Sequence, residues 1–239
     1  MTIKKNTLKR FIAKFKPHCL MRKNWLNGDN EGFYKNMSLD DFYQIAVQGR
    51  LDTGVDVKCL KEYIKNTNSI LEIGSGYGRV LAHILNQGYQ GKLVAVERNQ
   101  KFCQFLQSQF HGRADIFCTD IMNFKHDDKF DLILWMWAGI FEFSKNEQAQ
   151  VISHLSNMLN RNGYLILDTV SIDFVSMNAL KITPHDRIVK TSHGKDYCYF
   201  PSDDEIMRYA QQAGLIHHED LVYHAIADRK RRLNIFCFR

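Results

Sequence analysis

No apolar run in this chain reaches the about 20 residues that a membrane-spanning helix needs; the longest, LILWMWAGIF at 132–141, reads as a buried strand running into a loop. The N-terminus lacks the apolar stretch of a secretory signal. The six cysteines lie singly with no C-x-x-C pair, so neither a zinc site nor a disulfide framework is indicated; no metal is expected, and a reducing, cytoplasmic setting fits. Acidic residues are missing from positions 1–28, where Lys4, Lys5, Lys9, Arg10, Lys14, Lys16, Arg22 and Lys23 gather. The net charge of +6 therefore belongs to this stretch, and the remainder is close to neutral. Leu8, Phe11, Ile12 and Phe15 recur within it at helical spacing, which makes it amphipathic. Such a segment either docks its apolar face on the body with its lysines solvated, touches nucleic acid or an anionic membrane, or serves as an organelle address.

What the chain does have, at 239 residues and 45% hydrophobic content, suits one α/β domain with a small addition. Its most informative segment is SILEIGSGYGRV at 69–80. An apolar strand carries Glu72 near its end and runs into Gly74-x-Gly76-x-Gly78; the helical pattern VLAHILNQ follows and stops at Gly88. Glycines so spaced let the backbone turn tightly and approach a ligand where a Cβ would intrude. The helix points its free N–H groups and positive dipole end into the same space. A second strand, KLVAVE, ends at Glu97, where a carboxylate can accept both hydroxyls of a ribose. The pattern predicts a nucleoside-containing cofactor. The dinucleotide fingerprint GxGxxG would put a glycine where Arg79 stands and has no place for Glu72, which disfavours a nicotinamide oxidoreductase.

Further along, Phe102, Phe105, Leu106 and Phe110 mark the core face of a helix over 99–110, and ADIFC at 114–118 reads as a third strand followed by Asp120 and Ile121. FDLILWMW at 130–137 is near-continuously apolar, as a strand covered on both faces should be. Ser144 with Glu147 and Ser202 with Glu205 have capping-box spacing, opening helices over about 145–160 and 203–213. GYLILDTV at 163–170 supplies a fifth strand, and LVYHAIA and LNIFCF form a terminal hairpin. Residues 171–201, with His185, His193, Tyr197 and Tyr199, interrupt this scaffold and are placed to roof a substrate.

The acidic-x-Gly-x-Gly-x-Gly loop with Glu97 closing the next strand resembles the class I S-adenosylmethionine-dependent methyltransferases. The resemblance covers residues 60–239 and implies an α/β fold: a doubly wound, mainly parallel seven-stranded sheet with an antiparallel C-terminal hairpin, Rossmann-like, under an N-terminal helical cap. Residues 1–59 would then be the basic segment and cap, and 60–239 the cofactor-binding domain. The resemblance assigns S-adenosyl-L-methionine to Glu72, Gly74, Ser75, Gly76, Gly78 and Arg79 in the first loop, to Glu97 and Arg98, to Asp120 and Ile121 after the third strand, and to Trp135 after the fourth. Cap tyrosines in this family close over the cofactor, which makes Tyr34 and Tyr43 candidates to line the pocket, with His193 as a further candidate base. His217 and His218 lie near the terminal hairpin, and His83 and His154 fall inside helices as packing residues.

Family members that methylate exocyclic amino groups of bases carry an Asn/Asp-Pro-Pro-aromatic loop after the fourth strand, and pyrimidine C5 enzymes carry Pro-Cys. This chain has Trp135, Met136, Trp137 and Ala138 there. The expected activity is in-line methyl transfer to N or O of a small molecule. RNA methylation through the basic arm and a non-catalytic cofactor-binding interaction protein stand as alternatives.

Overall fold

The computed structural model describes residues 30–170, 179–225 and 230–239. The amphipathic pattern expected over Leu8–Phe15 lies outside them. The described chain opens with four short helices, α1 (Asn30–Asn36), α2 (Leu39–Gln48), α3 (Val55–Cys59) and α4 (Lys61–Lys65). Ser38 starts α2 with a capping box, its hydroxyl accepting from the Asp41 amide while the Asp41 carboxylate accepts from the Ser38 amide.

Strands and helices then alternate: β1 (Ser69–Ile73), α5 (Arg79–Asn86), β2 (Lys92–Glu97), α6 (Gln100–Gln109), β3 (Asp115–Cys118), β4 (Phe130–Trp135), a 3-10 turn (Gly139–Glu142), α7 (Lys145–Asn157) and β5 (Leu159–Val170). After α8 (Asp203–Gln212), two further strands complete the sheet, which we number β9 (Leu215–His224) and β10 (Lys230–Phe238). The seven strands lie in the order β3-β2-β1-β4-β5-β10-β9. The first five are parallel, and β10 runs antiparallel to both its neighbours. The mainly parallel sheet with its reversed C-terminal strand is thus the expected one. Connections leave β1 and β4 toward opposite edges, so a crevice opens beyond their carboxyl ends.

Alternate residues of each central strand enter different cores. Leu71, Ile73, Ile133 and Trp135 face α7 and α8, while Ile70, Leu132, Leu134 and Met136 face α2 to α5. Fully burying one such Leu or Ile stabilises the fold by about 1.5–3 kcal/mol.

Four features differ from the sequence expectation. Strand β4 ends at Trp135 rather than 137, because Trp137 and Ala138 take φ of 54° and 59° and break the extended run. Strand β5 begins at Leu159, which pairs with Phe130 while the Phe130 amide donates to the Met158 carbonyl at 2.8 Å, so α7 stops at Asn157. Within the interrupting segment, β6 (Ala179–Lys181), β7 (Asp186–Thr191) and β8 (Gly194–Tyr199) form their own antiparallel sheet instead of a loop. Cys103 and Cys118, read as single thiols, are joined as a disulfide because α6 packs beside β3. Both capping boxes at Ser144 and Ser202 form as expected.

Candidate active site

The glycine loop sits between the ends of β1 and β2. The Gly74 amide donates to the Val96 carbonyl at 2.8 Å, and the Gly78 amide closes a turn onto the Ser75 carbonyl at 2.8 Å. Gly76 and Gly78 adopt φ of 54° and 81°, which side chains other than glycine's tolerate poorly. A Cβ at Gly76 would collide with the Phe42 ring, and one at Gly78 with Phe110 and Leu106. Glycine is therefore required at both positions by space as well as by dihedral.

Glu72 is buried at the floor of this loop, and its Oε2 has no hydrogen-bond partner; the buried Ser75 hydroxyl beside it also lacks one. Burial pushes the Glu72 carboxyl up to about 8, outweighing the nearby Ser75 hydroxyl and Arg79 charge. Glu97, at the end of β2, accepts from the Gly76 amide at 2.8 Å on Oε2 and from the Asn99 amide at 2.7 Å on Oε1. Burial raises its carboxyl too, against these two amides and Arg98. Each oxygen has a second lone pair free for a hydroxyl donor. A cleft lined by Glu72, Ser75, Gly76, Arg79, Met136 and Trp137 opens at the glycine loop. Buried acceptors without partners, a loop bare of Cβ atoms and a carboxylate at the second strand's end fit S-adenosylmethionine: an ammonium toward Glu72, a ribose toward Glu97.

The other expected site residues divide. Asp120 follows β3 and accepts from the Met122 amide at 2.8 Å, with Ile121 buried beside it, so both stand beyond the sheet's carboxyl edge near Glu97. Arg98 leaves β2 toward Glu142, donating to it at 2.9 Å, and lies over the Tyr34 ring. Tyr34 is drawn into the same group, its hydroxyl donating to Glu142. His193 pairs with Asp41 at 3.1 Å.

Three of the expected residues make contacts that the sequence did not reveal. Arg79 lines the cleft and lies 5.8 Å from the Trp137 ring centroid, while its guanidinium makes a bidentate pair with Asp56 at 2.7 and 2.6 Å and a bond to the Leu51 carbonyl at 2.9 Å. Trp135 shares the Ile133 face of β4 and packs against Phe143 and Gly139 in the core, away from the cleft. Tyr43 is 45% exposed and meets only the edge of Tyr77 among the described ring contacts. Its neighbour Phe42 takes the inward place, stacked on Trp137 at 5.0 Å and on Phe102 at 5.5 Å. His83 and His154 bond backbone carbonyls of Asp52 and Phe124 at 2.9 Å each, as packing residues do, and His217 bonds Asp220 at 2.9 Å near the surface.

Sequence reasoning missed Asp168 and Glu142. Asp168, fully buried near the end of β5, accepts from the Trp137 amide and the Tyr223 hydroxyl at 2.8 and 2.9 Å and pairs with Arg231 at 2.9 Å. It thereby holds Trp137 in its left-handed conformation at the cleft wall. An acid inside the apolar run GYLILDTV was the available signal.

Residues 70–163 match the protein family described as a methyltransferase domain. Over 80 residues the chain is 31% identical to the ribosomal RNA small subunit methyltransferase G of Mycoplasmopsis pulmonis (strain UAB CTIP). That match takes in 32% of this chain and 35% of the relative, so the chain spans about a third of the length of the curated relative it matches. Among solved structures, an S-adenosylmethionine-dependent methyltransferase of Clostridium acetobutylicum ATCC 824 superposes with a TM-score of 0.64 at 16% identity, covering 83% of this chain and 98% of that one. An amino pentose methyltransferase of Micromonospora echinaspora gives 0.61 at 12% identity, covering 81% and 96%. At such identities the structural likeness is one of fold.

Proposed function

We propose that this chain, a class I S-adenosylmethionine-dependent methyltransferase, passes the methyl group to a nitrogen or oxygen of a small-molecule acceptor. The cofactor, when bound, supplies a sulfonium whose methyl group is already activated for displacement. What remains for the protein is placement, which alone contributes roughly 7–11 kcal/mol of barrier reduction. On this reading Glu72 and Ser75 hold the methionine end, Glu97 the ribose and Asp120 the adenine. Trp137 and Met136 give the cleft an apolar wall that excludes water.

The observation that carries the small-molecule reading is the lid. Helix α1 is bound to the β6–β8 sheet through Asn30, whose side chain donates to the Tyr197 carbonyl at 2.9 Å and accepts from the Tyr197 amide at 2.8 Å. The same Asn30 donates to the Glu142 carbonyl at 3.2 Å, closing the lid onto the turn after β4. A roof stitched on both sides suits an enclosed metabolite better than a polynucleotide. The amino pentose enzyme of similar fold, a small-molecule methyltransferase by its name, supports the same reading.

An RNA acceptor is the second reading, favoured by the 80-residue match to a ribosomal RNA methyltransferase and by the basic stretch 1–28. Retention of Glu72, Gly74, Gly76, Gly78 and Glu97 together speaks against a non-catalytic protein. Radiolabelled methyl transfer from S-adenosylmethionine to panels of amines, phenols and carboxylates, run beside 16S ribosomal RNA and small ribosomal subunits, separates these readings. Transfer to a small molecule and none to RNA is expected; transfer to RNA alone overturns the proposal.

A further inference from the structure

Phe42 of helix α2 closes the cleft at the glycine loop. Its ring lies nearly parallel to Trp137, 5.0 Å between centroids and 15° between planes, and to Phe102 at 5.5 Å and 19°. Tyr34 and Tyr77 meet it edge-on at 5.9 and 5.7 Å. The ring rests on Gly76, where a Cβ would collide with its Cε1. With Phe42 in place, the free volume of the cleft is about 20 Å³, room for a single water. Small-molecule pockets run to roughly 300–1,000 Å³. A nucleoside-containing ligand therefore enters only if something leaves.

The ring and the floor beneath it are chemically mismatched. Glu72 Oε2, the Ser75 hydroxyl and the Tyr77 hydroxyl all belong to residues lining the cleft, and all three are buried without a hydrogen-bond partner. A phenyl ring offers them none. The closed arrangement thus sets aromatic stacking against three unsatisfied polar atoms. A ligand carrying an ammonium and hydroxyls would satisfy such a floor and stack its own flat ring where Phe42 stacks now.

The part able to move is the helix that carries the ring. Strands β1 and β4, which bear Glu72 and lead to Trp137, lie in the middle of the seven-stranded sheet. Helix α2 buries only Ala46 among its 10 residues, and Tyr43 and Ile45 on it are 45% and 41% exposed. Its anchors gather at the N-terminal end: Lys101 donates to the Met37 carbonyl at 2.8 Å, and Asp41 pairs with His193 at 3.1 Å. A helix held at one end and lightly buried elsewhere can pivot about that end.

We propose that Phe42 is an internal occupant of the cofactor slot, and that S-adenosylmethionine binds only after α2 has swung this ring away from Gly76 and Trp137. The proposal rests on the methyltransferase reading above and adds a competitor built into the chain. Apparent cofactor affinity is then the intrinsic affinity reduced by the fraction of molecules in which the ring is out. A cap residue that closes over a bound cofactor adds to affinity, whereas an occupant subtracts from it. The sign of one substitution separates the two.

The test is a calorimetric titration of the full chain and of Phe42→Ala with S-adenosylhomocysteine. The variant is expected to bind about tenfold more tightly, because each lost stacking contact is worth a factor of a few. Ile45→Ala, at an exposed position of the same helix, is expected to leave affinity within about twofold. Phe42→Leu, apolar but without an aromatic face, should shift affinity in the same direction and carries the comparison if Phe42→Ala fails to fold. Equal or weaker binding in the folded Phe42 variant overturns the proposal, and so does an equal gain in Ile45→Ala. Binding by the Phe42 variant alone, with none by the wild-type chain, supports it. Binding by neither sinks the methyltransferase site itself and the occupant with it.

Discussion

Glu72 couples the fold to pH and, on the proposed reading, the cofactor as well. It is buried with an oxygen lacking a partner, and its carboxyl stands at about 8. An acid raised in the folded state binds its proton more tightly there than in the unfolded chain. Its ionisation therefore costs stability as pH rises from the ordinary carboxylate range, until about 8 is passed. A cationic ligand end beside Glu72 favours the ionised form, so affinity for S-adenosylmethionine should climb between about pH 6 and 8 by up to about tenfold per pH unit. Glu72→Gln should flatten that slope; equal slopes in variant and wild type, measured by calorimetry, would remove Glu72 from the cofactor site. The positions of the motif glycines and Glu72 on one loop, and of Glu97 at the end of the next strand, were legible because local sequence spacing determines them. Phe42 against Tyr43 was not: both are aromatic, adjacent on one helix, and only its docking angle turns Phe42 onto Gly76. Trp135 and Trp137 posed a related difficulty, because which faces the cleft depends on where β4 stops, and no glycine marks the left-handed turn at Trp137 and Ala138.

Among the elements, α3 and α5 are joined by the pair between Asp56 and Arg79, both almost fully buried. Arg79 begins the helix that follows the glycine loop, so the pair fixes that helix's start against the N-terminal helices. Asp56→Ala would leave a buried guanidinium without its counter-charge. The expected loss is about 3–5 kcal/mol of stability, read as a shift of the urea midpoint. A shift below about 1 kcal/mol would mean that the pair is solvated. The parallel strands could be read from their apolar runs and the helix starts from their capping boxes. The β6–β8 sheet could not, because its strands are short and polar, as DRIVKT and GKDYCY show, and are ordered partly by Asn30 from a distant helix.

For the whole molecule, a sheet ordered β3-β2-β1-β4-β5-β10-β9 places Glu72, Glu97 and Asp120 at or beyond the carboxyl ends of three adjacent strands, with Trp137 opposite. None of the described helices is long and apolar enough to cross a membrane. Glu142 of the turn after β4 and Tyr197 of the β6–β8 sheet are tied together through the Asn30 side chain of α1, which donates to both backbone carbonyls. No local motif could announce that pairing. The resemblance to the methyltransferase domain was thus visible in a dozen contiguous residues, while the contacts of the β6–β8 sheet depended on tertiary structure.

The most direct measurement is a calorimetric titration of the purified chain with S-adenosylmethionine, S-adenosylhomocysteine and NAD, repeated on Glu97→Ala. Micromolar binding of the first two, none of NAD, and a loss of about 1.5–3 kcal/mol in the variant are predicted, since the ribose loses charge-assisted hydrogen bonds. Binding of NAD in place of S-adenosylmethionine, or an affinity indifferent to Glu97, would contradict the cofactor site on which the account rests.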